Sequence, residues 1–239
     1  MPDLKQTSRK YATSFYHMVA KSWKKKRFMQ FIELVKPLAG EKVIDLGGAQ
    51  GTFFYENIDL VKEYDLQVVI ADINPDSLKV AGSRGFSTYL MRENELPEME
   101  AGVFDIVFCN SVIEHVTFPK ECVWDYTQDD FYIKALAIQK DFASNIERIS
   151  KKYYVQTPCI DFPVESHTWL PAFYSYPMNR KLHVERLKKI SKYWIKTTTP
   201  DYNLLNEEQF KSFFPGATDV FCNRVIGFAK ELIAYRADS

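Results

Sequence analysis

Short apolar, β-branched runs alternate along this chain with stretches of helical spacing, and that alternation limits the possible folds more than any other feature. Strands are expected over 42–46, 67–71, 86–90, 104–108 and 153–157. Between them lie helical stretches over 52–64, 75–81 and about 130–149, with Pro75 at an early helical position. Strands joined by helical crossovers run parallel with helices on both faces, and their continuously apolar character (Val43-Ile44, Val68-Val69-Ile70, Ile106-Val107-Phe108) agrees with burial on both sides. Before the first strand, Phe15, Met18 and Val19 and then Phe28, Phe31, Ile32 and Val35 recur at helical spacing, which predicts two opening helices ending near Lys36-Pro37. After the fifth strand the alternation stops for a Pro- and aromatic-rich stretch. A helix over 207–214 and strands over 217–222 and 227–235 close the chain as an antiparallel hairpin. The expectation is an α/β fold with a doubly wound, mostly parallel seven-stranded sheet. It forms a single domain: helical cap 1–40, ligand-binding core 41–157, aromatic insertion 158–205, and C-terminal helix and hairpin 206–239.

Composition removes several classes. With 239 residues, 31 basic against 31 acidic side chains and 46% hydrophobic content, the chain is no stapled miniprotein, disordered tail or polyanion-coating protein, and nucleic acid is not an expected partner. The four cysteines (Cys109, Cys122, Cys159, Cys222) lack any CxxC pair and read as reduced thiols. No run approaches the roughly 18 apolar residues of a membrane span, and the polar N-terminus resembles no signal peptide, so a cytoplasmic location is expected. The Lys24-Lys25-Lys26-Arg27 run reads as a solvated helix face.

Glycine is scarce, nine in all, yet Gly47, Gly48 and Gly51 sit together directly after the first strand. A glycine turn there lets backbone approach a ligand at the carboxyl edge of the sheet. The dinucleotide fingerprint G-x-G-x-x-G fails at Ala49 and Thr52, and no phosphate-loop lysine follows Gly51. Val43-Ile44-Asp45-Leu46-Gly47-Gly48-Ala49-Gln50-Gly51 instead resembles the first motif of class I S-adenosylmethionine-dependent methyltransferases, which are Rossmann-like. Val68-Val69-Ile70-Ala71-Asp72 follows in register, and Phe104-Asp105-Ile106-Val107 through Ser111-Val112-Ile113-Glu114-His115-Val116 resembles the fourth motif of the small-molecule branch. The resemblance implies S-adenosylmethionine as cofactor. Asp72 would then bind the ribose hydroxyls and Ile73 lie against adenine. Asp45, Gly47, Gly48, Ala49 and Gly51 would surround the amino acid end, unless Asp45 merely caps the turn. Asn110 and Ser111 would stand at the end of the fourth strand. Two positions depart from the pattern: Ala49 replaces a glycine, and Met91-Arg92-Glu93 replaces the acid near adenine.

Catalytic candidates follow from the same edge. Transfer to a hydroxyl is helped by a general base, and histidine suits neutral pH. His115 directly follows the fourth-strand motif, and is equally readable as a structural hydrogen-bonding group. His167 lies in Asp161-Phe162-Pro163-Val164-Glu165-Ser166-His167, a stretch resembling presumptive methyltransferases of surface-glycan or natural-product biosynthesis. Glu165 is its expected orienting partner. A divalent cation held by Glu114, His115 and Asp161, Glu165 or His167 was weighed against the E-x-x-E-H pattern of quinone-type enzymes. Ser111 stands where that pattern has its first acid, so no metal is expected. The aromatics Phe162, Trp169, Phe173, Tyr174 and Tyr176, with Tyr11, Phe15, Tyr16 and Trp23, read either as core or as a cap that dries the site.

The leading expectation is methyl transfer to a small or sugar-containing acceptor at oxygen. The rivals are a non-catalytic cofactor-binding scaffold or regulatory subunit and an NAD-dependent oxidoreductase; the sequence does not fix the oligomeric state.

Overall fold

The computed structural model describes residues 24–92, 96–171, 179–192, 196 and 198–238. The opening cap residues through Trp23, the insertion aromatics Phe173, Tyr174 and Tyr176, and Glu93 lie outside the described residues. Seven strands form one sheet: β1 (Lys42–Leu46), β2 (Gln67–Asp72), β3 (Ser87–Leu90), β4 (Phe104–Asn110), β5 (Ser150–Pro158), β6 (Asp219–Val225) and β7 (Phe228–Arg236). Their order is β3-β2-β1-β4-β5-β7-β6. The first five strands pair in parallel, and β7 runs antiparallel to both β5 and β6. The mostly parallel sheet with an antiparallel C-terminal edge is therefore as expected.

Strand alternation divides the core. Ile44, Leu46, Val107 and Val155 face one layer, where Ala143, Ile146 and Ile149 of the long helix Phe131–Ile149 and Phe210 and Phe213 of the helix Glu207–Phe213 cover them. Val43, Ile70, Ile106, Phe108 and Tyr154 face the other, under Phe28, Phe31, Ile32 and Val35 of the helix over 24–35. Those four positions are the face that periodicity picked out, and Phe31 sets its ring edge-on to Phe108 at 5.2 Å. Burying such a face supplies about 1.5 to 3 kcal/mol per large side chain.

Three expectations are corrected. The helix after the glycine turn is two pieces, Thr52–Tyr55 and Ile58–Glu63, because buried Asn57 turns its side-chain amide onto the Phe53 carbonyl and interrupts the ladder. The basic run is only partly a solvated face: Lys24 pairs with Glu56 and Arg27 with Glu231. The aromatic insertion carries a helix of its own, Arg180–Ile190, capped by the Asn179 side chain. All four cysteines are free, and among the described residues no helix is long and apolar enough to cross a membrane.

The insertion leaves and rejoins the sheet at one place. Cys159 bridges Leu205 in parallel, and Ile160 N–H donates to the Leu205 carbonyl. Its returning end is also stitched to the loop after β4: Asn203 N–H donates to the Glu114 carbonyl, Thr117 donates to the Asp201 carbonyl, and the buried Gln139 amide donates to both Ile113 and Asn203 carbonyls.

Candidate active site

The carboxyl ends of β1, β2, β4 and β5 lie along one edge, with Leu46 level with Ala71 and Cys109 and Asn110 level with Gln156. Strand order reverses between β1 and β4, the place where open α/β sheets leave a crevice for ligands. Gly47 opens the turn at φ 69° and lies under Val112: a Cβ there would sit 2.6 Å from Val112 Cγ2. At Gly48 a Cβ would meet Asp45 Oδ2 at 2.4 Å. Gly47 is thus required by close approach as well as by conformation, and Gly48 by close approach alone. Burial, and then the charge of Asp72, push the Asp45 carboxyl well above the usual carboxylate range. That favours a neutral acid beneath the turn.

Ala49 adopts φ 47°, a left-handed conformation that glycine accepts without strain. Its N–H donates to Asp72 Oδ2 at 2.9 Å, and Asn74 N–H donates to Oδ1 at 2.8 Å. Asp72 therefore locks the glycine turn to the end of β2. Each carboxylate oxygen keeps a second lone pair, so the ribose-binding role expected of it remains chemically open. Ile73 is 50% exposed beside it, as a surface for a flat ring requires. Arg92 follows β3 next to this point, since Met91 N–H donates to the Asp72 carbonyl. Its guanidinium is exposed, 3.8 Å from Glu98.

At the end of β4 the buried Asn110 Oδ1 has no hydrogen-bond partner among the described residues. A buried amide oxygen left unmet costs free energy unless a ligand donor fills it, so Asn110 fits a group bound in the crevice. Ser111 takes φ 57° and donates its N–H to the Gln156 carbonyl, which turns the chain across the crevice.

Three residues beyond Val112 the chain enters a second cluster. His115 and His167, 52 positions apart in sequence, set their Nε2 atoms 3.2 Å from each other. Each ring is held from behind by a carboxylate: Asp201 Oδ2 lies 3.3 Å from His115 Nδ1, and Glu165 Oε1 lies 2.6 Å from His167 Nδ1. The tight turn that carries His167 is wound around Glu165, whose carboxylate also accepts from the N–H groups of His167 and Thr168 and from the Thr168 hydroxyl. Burial alone would raise the Glu165 pKa, but its His167 and Thr168 hydrogen bonds and the His167 charge outweigh it and hold it at about 2. Burial also opposes protonation of His115, yet the Asp201 hydrogen bond and the charges of Glu114 and Asp201 raise its pKa. Beneath both rings Glu114 is fully buried. Its Oε2 accepts from the Thr157 hydroxyl at 2.9 Å, while Oε1 has no hydrogen-bond partner among the described residues and lies 3.9 Å from His167 Nε2.

His115, His167 and Glu165 thus stand in one cluster. Asp201 and Tyr202, whose ring stacks on His167 at 4.3 Å, were missed. They sit at the far end of the insertion, in Pro200-Asp201-Tyr202, where no spacing or motif marks them. Trp169 of the insertion aromatics is 40% exposed in the His167 turn, whereas the second core layer is built largely from other rings.

A family model described as "Methyltransferase domain" matches residues 38–198. No curated protein matches the chain by sequence. Among solved structures, a "possible exported protein" from Bordetella parapertussis superposes with a TM-score of 0.53 at 13% identity, over 91% of this chain and 68% of that one. The geranyl diphosphate C-methyltransferase of Streptomyces coelicolor A3(2), in complex with Mg2+, geranyl diphosphate and S-adenosyl-L-homocysteine, gives 0.53 at 10% identity, over 92% and 80%. At these identities the likeness is one of fold.

Proposed function

The chain belongs to the methyltransferase domain family and is an S-adenosylmethionine-dependent methyltransferase, and from that premise we propose that it methylates a hydroxyl of a small or sugar-containing acceptor. When bound, S-adenosylmethionine supplies a methyl group activated by its sulfonium charge. The residues fitted to hold it are Asp45, Gly47, Gly48, Ala49 and Gly51 at the turn, Asp72 and Ile73 at the end of β2, Arg92 after β3, and Asn110 and Ser111 at the end of β4. Asp72 meets hydroxyls with its free lone pairs, and Asn110 Oδ1 accepts from a donor.

The observation that carries the oxygen acceptor is the facing histidine pair. Ionised Glu165 and Asp201 accept only, so each imidazole directs its Nδ1–H at a carboxylate and its Nε2 lone pair into the space between the rings. A hydroxyl hydrogen-bonded to Nε2 would give up its proton there when its oxygen accepts a methyl group from S-adenosylmethionine, which would leave as S-adenosylhomocysteine, and the Asp201 and Glu165 carboxylates on the Nδ1 sides would favour the imidazolium formed. Aligning the acceptor and excluding water make up the remainder of the work asked of the protein, and exposed Trp169 offers a ring or sugar face a packing surface. Balanced net charge supports an uncharged acceptor over nucleic acid.

The test offers the protein methyl-labelled S-adenosylmethionine with a panel of sugar and phenolic alcohols and reads the product by mass spectrometry. An O-methylated product is expected, with His167→Ala lowering kcat by about 10²-fold or more while cofactor affinity holds. An unchanged rate in His167→Ala, or methylation at carbon or nitrogen only, refutes the proposal.

A further inference from the structure

The histidine cluster has more acceptors than the proposed proton transfer uses. With both Nδ1 atoms directed at carboxylates, His115 Nε2 and His167 Nε2 face each other at 3.2 Å, a separation that two unprotonated nitrogens keep only with a proton or a metal cation between them. Glu114 adds a third acceptor, a fully buried carboxylate oxygen with no hydrogen-bond partner among the described residues, 3.9 Å from His167 Nε2. A buried carboxylate oxygen left unmet is costly, and a bound cation would meet it.

We propose that Glu114, His115 and His167 form a binding site for one divalent first-row transition ion. The donor set, two imidazole nitrogens and one carboxylate oxygen, is that of open three-ligand sites for zinc and its neighbours. One donor atom from each residue lies within 4.8 Å of the others. Bonds of about 2.1 Å at tetrahedral angles set two ligands of one ion about 3.4 Å apart, so the histidine pair at 3.2 Å already has that spacing and the Glu114 oxygen must move in by up to about 1.4 Å to close on the ion. The outer contacts are those that orient metal ligands: Asp201 on His115, Glu165 on His167, and the Thr157 hydroxyl on the second oxygen of Glu114. Access is open, because the His115 side chain is 34% exposed against 12% for His167 and 1% for Glu114. An ion there would have positions left for the acceptor's oxygen and would favour its deprotonated form, a task otherwise left to a histidine lone pair. This deepens the proposed function and rests on it only for the ion's purpose; the ion's binding stands apart from it.

The experiment uses untagged, chelator-stripped full-length protein titrated with Co2+, read by its visible absorption, and with Zn2+ in competition with a chromophoric chelator. One equivalent of saturable binding is expected, at least about tenfold weaker in Asp201→Asn and weaker still in Glu114→Gln and His167→Ala. Circular dichroism and S-adenosylhomocysteine binding establish that each variant folds, and Asp201→Asn keeps the test alive if a ligand variant does not. Absence of saturable binding of either ion below about 1 mM, or equal binding in Asp201→Asn, overturns the site and leaves a proton shared between the rings. Metal binding without any methyl transfer refutes the proposed function instead, and O-methylation by protein that binds no metal refutes this inference alone.

Discussion

Replacing Glu165 by Gln should cost about 3 kcal/mol at neutral pH, and two routes through the structure give that figure. The carboxylate accepts four hydrogen bonds, at 2.7 Å from His167 N, 2.6 Å from His167 Nδ1, 2.7 Å from Thr168 N and 2.8 Å from Thr168 Oγ1. Gln keeps one accepting oxygen and turns two donors toward the donors that remain. At roughly 1.5 to 3 kcal/mol for each bond to a charged group, two lost bonds amount to about 3 to 6 kcal/mol. The same hydrogen bonds, together with the His167 charge, hold the native pKa at about 2 against the ordinary 4.5, which corresponds to about 3 kcal/mol. Because the folded-state pKa is depressed, this stability is present above 4.5 and is lost as pH falls toward 2. About 2 kcal/mol of it is gone at pH 3. Urea unfolding of wild type and Glu165→Gln, both metal-free, should therefore show a gap of about 3 kcal/mol at pH 7 that narrows to about 1 at pH 3. A gap that stays constant with pH, or falls below about 1 kcal/mol at pH 7, refutes the claim that an ionised Glu165 organises the His167 turn.

Three other substitutions probe the local arguments. Gly47→Ala forces a Cβ to 2.6 Å from Val112 in a left-handed residue, and thermal unfolding should show a loss of about 2 to 4 kcal/mol; a neutral result removes the case for close approach there. Ala49→Gly relieves left-handed strain at φ 47° and should raise stability by about 0.5 kcal/mol after the entropy of the freer unfolded chain, whereas a loss shows that Ala49 is unstrained. Asn206→Ala removes the capping box that Asn206 and Gln209 form at the C-terminal helix and should cost about 1 kcal/mol in urea unfolding, with no loss if the helix is set by packing alone.

The central strands β1, β2, β4 and β5 were legible because parallel strands buried on both faces are continuously apolar, and β1 has the bounds that this pattern predicts, whereas the exposed edge strand β3 and the antiparallel β6 were placed by their order in the chain. Phe28, Phe31, Ile32 and Val35 were legible for the same reason, as one buried helix face. Local competition hid the break at Asn57, since a side chain bonding its own backbone leaves no periodic trace. The Arg180–Ile190 helix, with few apolar positions, was lost in the insertion. At the site, Gly47, Gly48, Gly51 and Asp72 were readable from spacing because they lie on consecutive elements. The second cluster was readable only residue by residue: His115 and His167 each drew notice, but that their Nε2 atoms face each other depends on the insertion folding back to β4. Asp201 carries no local signal at all, and although Glu114, His115 and His167 were named together as metal ligands, Ser111 at the first acid of the E-x-x-E-H pattern counted against a metal.

The account stands on the glycine turn and Asp72 forming the cofactor site, and calorimetric titration with S-adenosylhomocysteine tests this most directly. Wild type should bind one equivalent saturably, Asp72→Ala should bind at least about tenfold more weakly, a loss of about 1.4 kcal/mol or more, and NADH should give no binding heat with either. Wild-type protein that binds NADH but not S-adenosylhomocysteine, or an Asp72→Ala variant that binds S-adenosylhomocysteine as tightly as wild type, would contradict it.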